Sequence, residues 1–168
     1  MSSDFGARKK ATKCHRGVDL VSAGGDSSGN DIVAVNDGKV ITANTDNNWG
    51  GGFGLHIIIQ HCNKLYTWYG HFMPGTITVH VGQQVTAGQL LGKSDSTGHS
   101  DGAHLHFSVA YGDSKNYIDP FMVMPDLFQH GNSGSIPKGA TAAERQANLS
   151  KDPCVQAGDW IYNWDQIK

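Results

Sequence analysis

A chain of 168 residues with 38% hydrophobic and 17% charged residues suffices for one globular domain and a short extension. Its 22 glycines against 5 prolines favour a turn-rich β domain over a helical bundle. A net charge of −2 argues against a nucleic-acid binder, no apolar run is long enough for a membrane-spanning helix, and three cysteines without a Cys-x-x-Cys pair argue against a thiolate zinc site.

The N-terminal segment has no apolar core of a signal peptide. The expectation is a piece of a larger exported or phage-associated protein, acting outside the cell, in the wall or in the periplasm. Five basic residues, Arg8, Lys9, Lys10, Lys13 and Arg16, crowd into nine positions and would attract an anionic surface. His15 to Val21 reads as a short strand, because Gly17 and β-branched Val18 disfavour helix. Ile32–Val35 and Val40–Ala43 flank Asp37-Gly38, a hairpin signal. A glycine-rich loop spans 46–54. Leu55–His61 and Lys64–Phe72 form a second strand pair turning at Cys62-Asn63, with Ile57, Ile58 and Ile59 apolar on both faces and hence interior. Thr76–Val81 reads as a further strand. Residues 82–92 carry a turn with flanking short strands, and 94–102 form a polar loop before a strand from His104 to Val109. Closely spaced short strands with turns between them predict an all-β antiparallel sandwich or barrel-like core. Residues 121–128 close it, 129–139 read as a linker, and 140–168 as an extension with a short helix at Ala140–Leu149 and a cluster of Trp160, Tyr162 and Trp164. One disulfide among Cys14, Cys62 and Cys154 is compatible with an oxidising compartment, and the sequence does not choose the pair.

Nine histidines are present. His104 and His106 are two apart, so a strand aims both at one spot. His15 and Asp19 are four apart and share a face of either a strand or a helix. His71 follows Gly70, which leaves space beside its ring. Two imidazoles and a carboxylate suit a zinc shell with one open position. The single glutamate, Glu144, lies in the extension. That excludes a His-Glu-x-x-His protease and weighs against a glycosidase carboxylate pair. The acid–base work of a zinc hydrolase here would fall to histidine, which titrates nearest neutral pH.

His15-x-x-x-Asp19, Tyr69-Gly70-His71 and His104-Leu105-His106 occur in one order with further motifs in register. These are Phe5-Gly6-x-Arg8, Val33-Ala34-Val35-x-x-Gly38-x-Val40, Val81-Gly82-Gln83-x-Val85-x-x-Gly88-Gln89 and Gly98-x-Ser100-x-Gly102-x-His104-Leu105-His106-Phe107. Over roughly residues 3–128 the chain resembles the lysostaphin/LytM-type zinc endopeptidases of peptidase family M23. The resemblance implies a duplicated hybrid-motif β fold with long groove-forming loops, and residues 1–128 as the catalytic domain. It implies one zinc per chain held by His15, Asp19 and His106, with His71 and His104 as the catalytic pair. It further implies hydrolysis of peptide cross-links or stem-peptide bonds of bacterial peptidoglycan. The sequence does not fix the oligomeric state, for which a monomer is the expectation. The alternative is a non-catalytic, wall-binding or regulatory module of the same fold. Two departures bear on substrate preference. No tyrosine lies between Phe5 and His15, where some members carry one near the reacting carbonyl. Ala103 stands before His104 where proline is common.

Overall fold

The structure is a computed structural model that describes residues 4–7, 14–46 and 52–124. The expected linker at 129–139 and the extension at 140–168 lie outside the described residues, as do Arg8, Lys9, Lys10 and Lys13. Eleven strands are described: β1 (Gly6–Ala7), β2 (Cys14–His15), β3 (Val18–Leu20), β4 (Asp31–Val33), β5 (Gly38–Asn44), β6 (His56–Gln60), β7 (Leu65–Gly70), β8 (Gln84–Val85), β9 (Leu90–Lys93), β10 (Leu105–Tyr111) and β11 (Tyr117–Ile118). One helical turn, α1 (Pro120–Val123), starts where the Asp119 side chain accepts a hydrogen bond from Phe121 N.

The main sheet runs β11-β10-β7-β6-β5-β8, with β3 paired to β10 and every pairing antiparallel. Two small sheets, β1-β2 and β4-β9, accompany it. The all-β antiparallel expectation holds, and the pairing among the described residues does not close into a barrel. Period-2 alternation divides the main sheet into two faces. Val40, Ile57, Ile59, Tyr69, Phe107 and Val109 are buried in an apolar core that Ile32 and Leu91 of the small sheet join. The side chains between them in sequence, His56, Ile58, Trp68, His106 and Ser108, belong to the opposite face and are also buried. This explains why Ile57-Ile58-Ile59 reads as apolar on both sides. Tyr69 Oη accepts the Val35 N–H at 3.1 Å, tying the approach to β5 onto β7.

Three elements differ from the expectation. Residues 15–21 are not one strand: Arg16 and Gly17 separate β2 from β3, and the two pair with different partners. The expected hairpin at Asp37-Gly38 does not form, because β4 pairs with β9 and both edges of β5 are taken by β6 and β8. Neither Asp37 nor Gly38 has the positive φ that a type I′ turn requires. Gly38 answers a different demand, since a Cβ there would lie 2.6 Å from Gln60 O across the β5–β6 pair. Thr76–Val81 forms no strand. It meets β9 through Thr78, whose N–H bonds Leu91 O and whose hydroxyl bonds Leu90 O. The expected pair at residues 55–72 does form as β6 and β7, joined by a 3₁₀ turn at Cys62–Lys64. Cys14 is disulfide-bonded, and Cys62 is a free, exposed thiol.

Candidate metal centre and histidine pair

The site grows from the neighbours of β10. His106 is the register partner of Asp19 on β3 and of Gly70 on β7. Opposed residues of an antiparallel pair share a face, so Asp19 and His106 point together, and His71 comes one residue after Gly70. β3 reaches this position because Gly17 lacks a side chain. A Cβ at Gly17 would lie 2.2 Å from Phe107 O and 2.5 Å from Ser108 Oγ. Gly70 is also sterically held, with its virtual Cβ 3.2 Å from Phe53 O and 3.5 Å from His106 Cβ. The short β1–β2 pair, with Gly6 opposite His15, supplies the remaining wall.

All five residues singled out in the sequence meet here. His15 Nε2 lies 3.0 Å from Asp19 Oδ1 and 3.1 Å from His106 Nδ1, and the last two atoms are 2.9 Å apart. His104 Nε2 is 3.3 Å from the same Asp19 oxygen. The His71 ring centroid is 4.6 Å from that of His104 and 5.8 Å from that of His106. His15, Asp19, His71 and His106 are buried, and His104 is half-buried.

Each ring is fixed from its outer side. His15 Nδ1 donates to Asp4 O at 2.6 Å, His71 Nδ1 to Thr97 O at 2.6 Å, and His104 Nδ1 to Gly102 O at 2.7 Å. A carbonyl oxygen only accepts, so these nitrogens carry the ring proton and, in the neutral ring, Nε2 is a lone-pair acceptor. His106 is turned the other way, with Nε2 against Ser108 Oγ at 2.9 Å and Nδ1 inward. His15 Nε2 and Asp19 Oδ1 are acceptors, and His106 brings Nδ1 to the same point, an arrangement that needs a proton or a cation between them. Zinc with bonds of about 2.0–2.2 Å sets tetrahedral ligand atoms about 3.3 Å apart. This nitrogen–nitrogen–oxygen set, closely grouped and buried, fits such an ion.

Electrostatics follow the same geometry. Burial alone would raise the Asp19 carboxyl, but the His104, His106 and His15 rings outweigh it and hold Asp19 well below the usual carboxylate range. Burial pushes His106 down despite its bond to Asp19. Burial also pushes His71 down to about 4, against the opposing pull of the Thr97 carbonyl. His71 is therefore neutral at pH 7.

This has a consequence for stability. The unfolded chain protonates an ordinary histidine near 6.5, before the folded chain protonates His71 near 4. The stability contribution is complete above about pH 6.5 and is lost as pH falls toward 4, by of order 3 kcal/mol from His71 alone. His56 and His61, both shifted down mainly by burial, act in the same direction. Urea unfolding of the metal-free protein should show its midpoint falling between pH 7 and pH 5, and an unchanged midpoint would contradict the burial of these rings.

The residues that orient the rings carry little signal in the sequence. Asp4, Thr97 and Gly102 act through backbone carbonyls, which carry no side-chain signal. Ser108 did have one, since it lies two residues after His106 and so on the same strand face. The basic cluster contributes one described residue, Arg16, which is exposed and stands 5.6 Å from the Tyr117 ring centroid.

Residues 13–120 match peptidase family M23. Over 93 residues the chain is 37% identical to the glycyl-glycine endopeptidase ALE-1 of Staphylococcus capitis, covering 55% of this chain and 24% of that protein. The chain thus spans about a quarter of that relative's length. The catalytic domain of lysostaphin from Staphylococcus simulans superposes with a TM-score of 0.61 at 28% identity, covering 74% of this chain and 90% of that one. A zinc-containing peptidase from Vibrio cholerae does so with a TM-score of 0.58 at 28% identity, covering 70% and 34%. The family match takes in every strand from β2 to β11 and all five converging side chains, and the chain belongs to peptidase family M23.

Proposed function

We propose that this chain is a zinc endopeptidase that hydrolyses peptide bonds in the cross-links or stem peptides of bacterial peptidoglycan, outside the cell or in its wall. The observation that carries the reading is the convergence of His15 Nε2, Asp19 Oδ1 and His106 Nδ1, with His71 and His104 beside the same centre. His15, Asp19 and His106 are the residues that would hold one zinc ion. Zinc, when bound, supplies Lewis-acid chemistry: it polarises a carbonyl oxygen and acidifies water.

The remaining chemistry belongs to the histidine pair. His71 is kept neutral by burial and has its ring proton committed to Thr97 O, so its Nε2 takes a proton from the attacking water. His104 has Nδ1–H on Gly102 O and Nε2 3.3 Å from the Asp19 carboxylate, so in its doubly protonated form the Nε2–H faces the centre, donates to the developing oxyanion and passes its proton to the leaving amine. The half-buried position of His104 leaves it the more accessible of the two to a bound peptide. The name of the Staphylococcus capitis relative makes glycyl-glycine bonds the first substrate to try.

Chelation tests the reading. Exhaustive treatment with a chelator should abolish clearing of purified cell-wall sacculi, and one equivalent of zinc should restore it. Full clearing by the chelated, metal-free protein would overturn the proposal. Ser108 gives a second handle. Removing its hydroxyl leaves His106 Nε2 without the partner that orients the ring, so Ser108→Ala should weaken zinc binding about 10- to 100-fold. Competition with a zinc-sensitive dye measures this directly.

A further inference from the structure

His71 is the one site residue with a strained backbone: its φ is +64°, in the left-handed region that non-glycine residues rarely adopt. Its surroundings over-determine that conformation. The His71 N–H donates to Phe53 O at 2.8 Å, its carbonyl accepts from Asp95 N at 2.8 Å, and its ring Nδ1 donates to Thr97 O at 2.6 Å. Phe53 and Thr97 sit on two different loops, and those loops are clipped together at a glycine contact. A Cβ on Gly54 would lie 2.3 Å from Thr97 O, the very oxygen that receives the His71 ring proton. A Cβ on Gly98 would lie 2.3 Å from Gly54 N. Both glycines have positive φ. The Gly54 carbonyl is held in turn by Nδ1 of the fully buried His56, at 2.9 Å.

The Thr97 side chain closes this frame. Its hydroxyl donates to Phe72 O at 2.8 Å and accepts from Leu55 N at 3.2 Å. One side chain therefore ties the loop that carries the carbonyl both to the residue after His71 and to the residue after Gly54.

We infer that Thr97 is a positioning residue for His71: its hydroxyl, with the Gly54–Gly98 contact, fixes the carbonyl that selects the His71 tautomer and aims Nε2 at the reaction centre. This rests on the proposed hydrolytic role of His71 only for its effect on rate, since the tautomer is a property of the protein itself. Without the hydroxyl, the loop can carry the carbonyl away from Nδ1, and the ring then shares its proton between the two nitrogens. A small misplacement of a reacting group is enough to cost rate while leaving the binding groove in place.

Thr97→Val removes the hydroxyl at nearly constant shape, and Thr97→Ser keeps it. In the zinc-loaded protein, long-range proton–nitrogen spectra of the histidine rings should show His71 protonated at Nδ1 in the wild type and in Thr97→Ser. Thr97→Val should show a mixed or Nε2-protonated ring. On purified sacculi, Thr97→Val should lower kcat about 10- to 100-fold with KM and zinc content retained, and Thr97→Ser should recover most of the loss. An Nε2-protonated His71 in the wild type overturns the inference, as does a Thr97→Val protein with unchanged ring signals, and so does equal damage from Thr97→Ser. Should the wild type fail to hydrolyse any peptidoglycan, the proposed function fails and the ring spectra alone decide the role of Thr97.

Discussion

His104→Ala and His71→Ala should each retain one zinc per chain and lose about 10²–10⁴-fold in kcat on peptidoglycan, the usual yield of a positioned acid or base. His106→Ala should lose the metal and the activity together. The contrast follows from where the rings point. His106 Nδ1 lies 2.9 Å from Asp19 Oδ1 and 3.1 Å from His15 Nε2, inside the cluster, so its removal opens the shell. His71 stands to one side, 5.8 Å from the His106 centroid, with its ring proton on Thr97 O. His104 is the sharper test. Its Nε2 is 3.3 Å from Asp19 Oδ1, close enough that proximity alone would suggest a ligand. Its half-buried position and its place on an isolated bridge to Asp95, before the start of β10, separate it from the three buried atoms. Atomic absorption of dialysed variants measures the metal, and initial rates on sacculi measure the chemistry. Loss of zinc from His104→Ala would move that residue into the shell. Full activity in metal-loaded His106→Ala would remove it from the site.

Gly17→Ala should be as damaging as loss of a ligand although it touches no ligand. The added methyl would lie 2.2 Å from Phe107 O, and Phe107 is the register partner of Val18. Backbone cannot yield by that distance without parting β3 from β10, and the His106–Asp19 pairing lies on the next rung. Overpacking of this kind against main chain is expected to cost about 3 kcal/mol or more and lower Tm by roughly 10 °C. Zinc affinity should fall in parallel, since Asp19 would leave its opposed position. Gly24→Ala is the matched control: nothing lies within 4 Å of its virtual Cβ, and Tm should change little. Thermal melts with and without zinc compare the two. Equal melting of Gly17→Ala and wild type would mean that β3 does not depend on that close approach.

The legible and illegible parts of the fold divide along one line. Side-chain type and spacing marked His104 and His106, His15 and Asp19, and His71 after Gly70, and the family resemblance assigned their roles; in the fold His15 ends β2, Asp19 on β3 opposes His106 on β10, and His104 stands on an isolated bridge just before β10. The β6–β7 pair was equally local, with Ile57–Ile59 announcing a strand buried on both faces and a short turn joining it to its partner. What failed depended on which strands find one another. Asp37-Gly38 looks like a hairpin turn, but β4 and β5 separate because each finds its partners elsewhere in the chain, β9 for one and β6 and β8 for the other. Gly38 signals a turn in the sequence, whereas in the fold it admits Gln60 O. Thr76–Val81 has strand-like residues and lacks a ladder, which no feature within those six positions could reveal. The carbonyls of Asp4, Thr97 and Gly102 belong to the same class, because a backbone acceptor becomes visible only when the chain is folded. Ser108 is the exception, legible from its spacing to His106.

The proposed function names a bond class as well as a metal site: an amide of the wall peptide and not the glycan. Mass spectrometry of fragments released from purified peptidoglycans of different cross-link chemistry, by the zinc-loaded chain, tests it most directly. New free amino termini should appear on peptide fragments with intact glycan, and be absent from the His104→Ala digest. Reducing sugar ends would contradict it, and binding to the wall without any released fragment would show a docking module in place of an enzyme.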